Sequence, residues 1–350
     1  MMFEKLKEYG TEEIHFANDE ESGLNAIIAV HSSVLGPCVG GTRFWQYENE
    51  EKALYDVLRL SRGMTYKNAV SGLKYGGAKG VIIGDPKKLK SEKLLLAYGR
   101  FVDRLGGNFT TGEDVNISLA DAEIMSRATK HIVGIGGTGR GGDPSPYTAR
   151  GVFRGMQAGA KEKFGSESFK GKTVAVQGLG KVGYDVCKWL HEDGAKLIVA
   201  DINADAVKRA KAEFGAETAS PSDIMFADCD VFSPNAMGAI LKADDVPRLK
   251  CALIGGGANN VLVDPSAGDA LHSAGILYIP DYVINAGGVI SVCLEFERIH
   301  TDKLANEKCD GIFNNVNNIL DFAKKENLPT YLAADRYSQK VVDDARRGKK

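Results

Sequence analysis

The 350-residue sequence predicts an α/β chain of two domains. Three observations carry that prediction. Short β-prone runs alternate with stretches of helical periodicity along the chain. One such run passes straight into a glycine-rich turn and a helix. A glycine- and proline-rich stretch near residue 140 divides the two halves. With 43% hydrophobic and 26% charged residues, the chain can bury a sizeable core.

Taken in order, residues 26–30 (AIIAV) form a short β-prone run, and Leu54, Val57 and Leu58 repeat at helical spacing. Residues 81–83 make a second short strand. Leu94, Leu95, Tyr98, Phe101, Val102 and Leu105 then line one face of a helix that Gly106 and Gly107 stop. Ser118 with Asp121 has the spacing of a capping box. Residues 131–146 (HIVGIGGTGRGGDPSP) suit neither helix nor strand and predict an interdomain hinge about which the domains close, with a long surface loop inside one domain as the alternative. The expected domains are 1–139 and 140–325, with the tail 326–350 packing back on the first.

Beyond the hinge, residues 147–164 read as a helix and Thr173–Gln177 as a buried strand. That strand runs into Gly178-Leu179-Gly180-Lys181-Val182-Gly183, which opens the next helix. Further β-prone runs at 197–200, 231–232, 252–254 and 277–279 continue the alternation of a parallel, doubly wound sheet of Rossmann type. Glycine makes up 41 of the residues, so a lone GxGxxG is weak; placed between strand and helix it is a dinucleotide fingerprint. Gly178 makes the tight turn, Gly180 lets backbone approach a pyrophosphate, and Gly183 lets helix and strand pack closely. The helix N-terminus offers N–H groups to the phosphates. About 20 residues on, Asp201 is placed to accept hydrogen bonds from ribose hydroxyls and to repel a 2′-phosphate, which favours NAD over NADP. Lys208 and Arg209 keep NADP as an alternative, and a turn or capping role is the alternative for Asp201.

Lys and Arg number 44 against 46 Asp and Glu, a formal net charge of -2, so neither nucleic acid nor a membrane surface is an expected partner. The first ten residues carry Glu4, Lys5, Lys7 and Glu8 instead of an apolar run, and no segment approaches the ~20 apolar residues of a membrane span. The six cysteines show no CxxC pair and no zinc-ligand spacing. Reduced thiols, a cytoplasmic location and no metal are expected.

Residues 63–80 set lysines among small and apolar residues just before a strand. A single lysine is usually a solvated surface charge. Flanked by Gly77, Ala78 and Gly80, Lys79 has the small neighbours of a pocket, where desolvation beside a second cation would make a usable base. The pattern Leu73-x-x-Gly76-Gly77-Ala78-Lys79-Gly80, followed by Asp85-Pro86, resembles the signature of the glutamate/leucine/phenylalanine/valine dehydrogenases. So do Gly40-Gly41-Thr42-Arg43, Lys67, Glu113-Asp114-Val115, residues 144–148, the glycine turn, Ala258-Asn259-Asn260 and residues 280–289, in that family's order over residues 25–292.

The resemblance implies an N-terminal α/β domain for substrate and oligomerisation, a Rossmann-type dinucleotide domain, a cleft between them, and a homo-oligomer, a dimer or larger. It implies that Lys67, helped by Asn260 and the Gly40-Gly41 turn, holds the substrate α-carboxylate. Lys79 would be the general base toward water and Asp114 would carry protons to and from the amine. Thr148, Asn259 and Asn285 would join the residues from Gly178 to Gly183 in holding NAD. Amino acid, 2-oxo acid and ammonia are the expected small-molecule partners.

Glutamate-selective members of the family carry a lysine just before the Gly-Gly-x-Arg turn, and here that position is Val39. An unpaired buried carboxylate costs several kcal/mol, so an apolar substrate is expected. Val39, Gly112, Val289 and Val292 stand where the family's apolar side-chain pocket would be and suit leucine, valine or isoleucine. One methylene is worth only ~1 to 3 kcal/mol, and Gly112 opens volume that admits phenylalanine or tryptophan. The competing readings are a malic-type or hydroxy-acid dehydrogenase, which has no need of Lys67, Lys79 and Asp114, and a catalytically silent NAD-binding amino-acid sensor.

Overall fold

The computed structural model describes residues 2–135 and 141–348. Residues 136–140 of the expected hinge lie outside the described residues. The chain forms two compact units. The first comprises Met1–Asp143, Val292–Thr301 and Ser338–Lys350, the second Pro144–Ser291 and Asp302–Tyr337.

The first unit is built on a mixed sheet ordered Glu13–Asp19, Leu24–Ser32, Gly76–Ile83, Cys38–Val39, Phe109–Thr110, with Thr42–Trp45 also paired to Gly76–Ile83. Leu24–Ser32 runs antiparallel to Gly76–Ile83, setting Ala29 opposite Lys79, while Cys38–Val39 and Thr42–Trp45 run parallel to it. Alternate residues of Leu24–Ser32 serve opposite faces. Ile27 and Ala29 pack with Val57 and Leu58 of the helix Glu50–Val70, and Ala26, Ile28 and Val30 pack with Leu94, Tyr98 and Phe101 of the helix Glu92–Asp103. Covered on both sides, residues 26–30 of this strand are a continuous apolar run with no polar alternation.

Local signals fix the helix starts. Asn49 caps Glu50–Val70 by accepting from the Lys52 N–H, and Ser118 and Asp121 form a reciprocal capping box on Leu119–Ser126. Such caps contribute about 1 kcal/mol each. The central strand is longer than its apolar residues 81–83 suggest. It begins at Gly76, so Lys79 lies within the strand and not before it. Glycines carry no side chain to show a period-2 pattern, and here the backbone pairing of three neighbours makes the strand.

The second unit holds a wholly parallel sheet ordered Leu277–Tyr278, Leu253–Ile254, Val231–Pro234, Thr173–Gln177, Lys196–Ala200, Glu217–Thr218. The order reverses between Thr173–Gln177 and Val231–Pro234, the switch point at which ligands bind in doubly wound sheets. Residues 302–337 belong to this unit, so of the tail expected at 326–350 only residues 338–350 join the first, which also takes residues 292–301. Ile312 packs at Gly151, Lys324 pairs with Glu162, and Tyr331 and Tyr282 donate to Asp269 and Asp335, which fastens residues 312–335 to this unit before the chain rejoins the first at Ser338. Among the described residues, no helix is long and apolar enough to cross a membrane and no group of three or more His, Cys, Asp or Glu could hold a metal. The six cysteines are free and buried.

Candidate active site

In the first unit the site is assembled by close backbone packing. Side chains added at Gly40 and Gly41 would overlap the carbonyls of Ala78 and Glu113, and Gly40 and Thr42 donate backbone N–H groups to Thr110 and Gly112. That contact brings the Gly-Gly turn, the strand of Lys79 and the Glu113-Asp114 segment together. Lys79 is 7% exposed, and its Nζ lies 2.9 Å from Asp114 Oδ2. Arg43 Nε approaches the same oxygen at 3.4 Å.

Arg43 in turn places Nη1 2.9 Å from Asp56 Oδ2, and Asp56 also accepts from Tyr47 and Arg59. Burial pushes the Asp114 carboxyl up, but the charges of Lys79 and Arg43 outweigh it and hold the group below the usual carboxylate range. Asp114 is therefore an anion at neutral pH. Arg43 and Asp56 escaped the sequence reading as site members. Arg43 stood only as the last residue of a motif, and Asp56 reads as an ordinary solvent-facing position of a helix.

Lys67 lies in the last turn of Glu50–Val70, half-buried. Its helix is fixed to the site by neighbouring residues: Met64 packs at Gly40, Thr65 packs at Gly77, and the Asn68 amide donates to the Gly76 carbonyl at 2.7 Å. Val39 is buried in register between Gly77 and Thr110. A side chain at Gly112 would meet Val133 O at 3.2 Å and Val133 Cγ2 at 3.4 Å. Val292 is half-buried on the helix Gly287–Phe296.

In the second unit the glycine turn closes the strand Thr173–Gln177. Gly178 has φ of 91°, which a glycine adopts without strain, and a side chain at Gly183 would overlap the Gly178 carbonyl. Gly180 is exposed, with nothing within 4 Å of where its Cβ would stand. It starts the helix Lys181–Glu192 with no side-chain cap, so the N–H groups of Lys181, Val182 and Gly183 open the helix as a site for phosphate would require. Asp201 accepts from the N–H of Leu179 and, at 2.7 Å, from that of Asn203. It thus straps the glycine turn to the end of the next strand, the turn role named above as its alternative. The Arg209 guanidinium stacks 3.6 Å from the Tyr184 ring centroid.

Asn285 is buried and donates to Asn259 Oδ1 at 2.7 Å and to the Gly257 carbonyl at 3.2 Å, while its own Oδ1 has no hydrogen-bond partner. A carboxamide ligand would satisfy that acceptor. Thr148 donates to the Pro144 carbonyl and sits against Gly288, beside half-buried Val289. Asn260 is exposed and held at φ of 53°. An open glycine turn, an uncapped helix start and an orphaned buried acceptor together fit a nicotinamide dinucleotide.

The chain matches the family model for the Glu/Leu/Phe/Val dehydrogenase dimerisation domain over residues 11–134. It matches that for Glutamate/Leucine/Phenylalanine/Valine dehydrogenase over residues 139–207 and 199–349. It is 49% identical to a leucine dehydrogenase of Geobacillus stearothermophilus, over 99% of this chain and 95% of that protein. With a leucine dehydrogenase of Bacillus subtilis it shares 48% identity over 99% of this chain and 96% of that protein. The crystal structure of L-tryptophan dehydrogenase from Nostoc punctiforme superposes with a TM-score of 0.88 at 41% identity, covering 99% of this chain and all of that one. The chain belongs to the glutamate/leucine/phenylalanine/valine dehydrogenase family, and its two-domain α/β fold with a Rossmann-type unit is the fold of that family.

Proposed function

We propose that this protein is an NAD-dependent amino-acid dehydrogenase that converts an apolar L-amino acid, with leucine, valine and isoleucine preferred, to its 2-oxo acid and ammonia, and that also runs in reverse. The observation that carries the reading is the buried Lys79 held 2.9 Å from Asp114. In this reading Lys67 binds the substrate α-carboxylate as a point charge, helped by Asn260 and the Gly40-Gly41 turn. Asp114, kept anionic by Lys79 and Arg43, takes a proton from the substrate ammonium group, leaving an amine whose lone pair can drive loss of hydride from Cα.

NAD would supply the hydride acceptor, and the residues that would hold it are those from Gly178 to Gly183 with Asp201, Thr148, Asn259 and Asn285. Lys79, its ammonium having given a proton to solvent once substrate is bound, then takes a proton from the water that attacks the iminium carbon and donates a hydrogen bond to the resulting carbinolamine oxygen. Asp114 returns its proton to the departing nitrogen, and as the C–N bond breaks the carbinolamine hydroxyl gives up its proton to the Asp114 carboxylate so freed, leaving the 2-oxo acid and ammonia. NAD is preferred to NADP because Asp201 would repel a 2′-phosphate and Arg209 is stacked on Tyr184.

Val39 supplies no charge for a substrate side-chain carboxylate, which favours an apolar substrate side chain. Gly112 favours a second reading, a phenylalanine- or tryptophan-preferring enzyme, since a methyl there would reach the wall at Val133 and a glycine leaves that volume to the substrate. The relatives named leucine dehydrogenase support the first reading, and the one named L-tryptophan dehydrogenase supports the second. The protein works as a cytoplasmic homo-oligomer. The matched dimerisation domain supports association, as does the outer edge of the strand Glu13–Asp19, where Phe16 is 57% exposed.

NADH formation across a panel of L-amino acids tests the reading. Turnover of leucine and valine well above glutamate is expected. Turnover of glutamate as fast as leucine, or of none of the panel, would overturn it.

A further inference from the structure

Glu295 lies on the helix Gly287–Phe296, one turn after Val292, and is 6% exposed. A carboxylate this buried must be compensated. Its described partners are backbone N–H groups: Oε1 accepts from Gly134 at 3.0 Å and from Ile135 at 3.4 Å, and Oε2 accepts from Gly141 at 3.3 Å. Gly134 has φ of 75°, and two successive N–H groups converging there form a small anion-binding concavity that the side chain fills. The carboxylate thus joins parts of the first unit that are far apart in sequence.

Both ends of that connection lead to residues that the proposed function or the family resemblance gives to the substrate side-chain pocket. Val133, next to Gly134, donates its N–H to the Thr111 carbonyl at 2.8 Å, and its carbonyl and Cγ2 form the wall facing Gly112. Val292 occupies the same helical face as Glu295. The following turn is tied separately, because the Tyr75 hydroxyl donates to Glu297 Oε1 at 2.9 Å and Tyr75 directly precedes the strand that carries Lys79.

We infer that Glu295 is a positioning residue for substrate selection, fixing the distance between the Val133 wall and Val292 and so the size of side chain the pocket accepts. This rests on the proposed function above. Charge-assisted bonds are stronger than neutral ones, and a supporting group of this kind sets pocket geometry that direct contacts alone leave loose. Glu295→Gln keeps the shape but turns an amide N–H toward a backbone N–H, releasing one side of the connection.

The test is kcat/KM of the full-length wild type, Glu295→Gln and Glu295→Asp for leucine, valine and phenylalanine, with KM for NAD and thermal stability recorded alongside. Glu295→Gln is expected to raise KM for leucine about tenfold, to change the leucine-to-valine and leucine-to-phenylalanine ratios at least fivefold, and to leave KM for NAD within twofold. Glu295→Asp, drawn back by one methylene, is expected to shift the ratios in the same sense and serves if the amide variant does not fold. A lowered Tm with unchanged ratios in the variants would overturn the inference and leave Glu295 a structural residue. Wild-type turnover of leucine scores the functional reading separately from the change on substitution.

Discussion

The packed glycines of the first unit and Gly180 of the dinucleotide turn are the same residue used for opposite ends. Gly40, Gly41 and Gly77 are pressed against the protein's own backbone, at Ala78, Glu113 and Thr65. Gly180 faces open space and is exposed. Where the protein must hold Lys79 and Asp114 within an ion-pair distance, it removes side chains so that its own strands can close. At Gly180 the missing side chain leaves the backbone open, as the proposed dinucleotide role would require. The first arrangement couples the site to folding, and the second leaves folding almost indifferent.

Gly77→Ala should produce the largest effect. Its new methyl would meet the backbone N–H and hydroxyl of Thr65, so the strand or the helix Glu50–Val70 must shift. Overpacking of that kind destabilises by ~1–3 kcal/mol or more, and chemical denaturation should show it together with lost activity. An unchanged denaturation midpoint would break the comparison.

Arg43→Gln comes next, with kcat falling about tenfold, as expected when a charged neighbour is removed from a proton-transfer group. Its pH profile carries the sign. Asp114 is held low by two cations, so its ionised form persists into acid; removing one cation raises its pKa, and the acid limb of kcat should move to higher pH. An acid limb that stays in place would exclude Arg43 from control of Asp114. Gly180→Ala should be the mildest for the fold, within ~0.5 kcal/mol of wild type as for a surface substitution. Its methyl would nevertheless hold a pyrophosphate off the backbone, and KM for NAD should rise about tenfold.

Much of this was legible in sequence because it is local. The strand, glycine turn and helix are contiguous, the Ser118 capping box spans one turn, and the lysine signature is a single segment. What was illegible is carried by pairing at a distance. Asp56 reaches the Lys79–Asp114 pair through Arg43, and Glu295 meets Gly134 and Gly141 because the chain returns to the first unit at Val292. The strand Glu13–Asp19 went unread because, as an edge strand, it carries a mixed pattern of half-buried and exposed residues instead of an apolar run. Neither hydrophobic period nor motif spacing records such pairings, since each depends on a turn of the chain made elsewhere.

The most direct test of the account is the turnover of Lys79→Ala with leucine and NAD, beside its affinity for NAD and its thermal stability. Loss of a general base predicts a fall in kcat of about 100- to 10,000-fold, with NAD affinity unchanged and the fold intact, because Asp114 keeps its contact with Arg43. A folded variant that turns leucine over within tenfold of wild type would contradict the central role given to the Lys79–Asp114 pair.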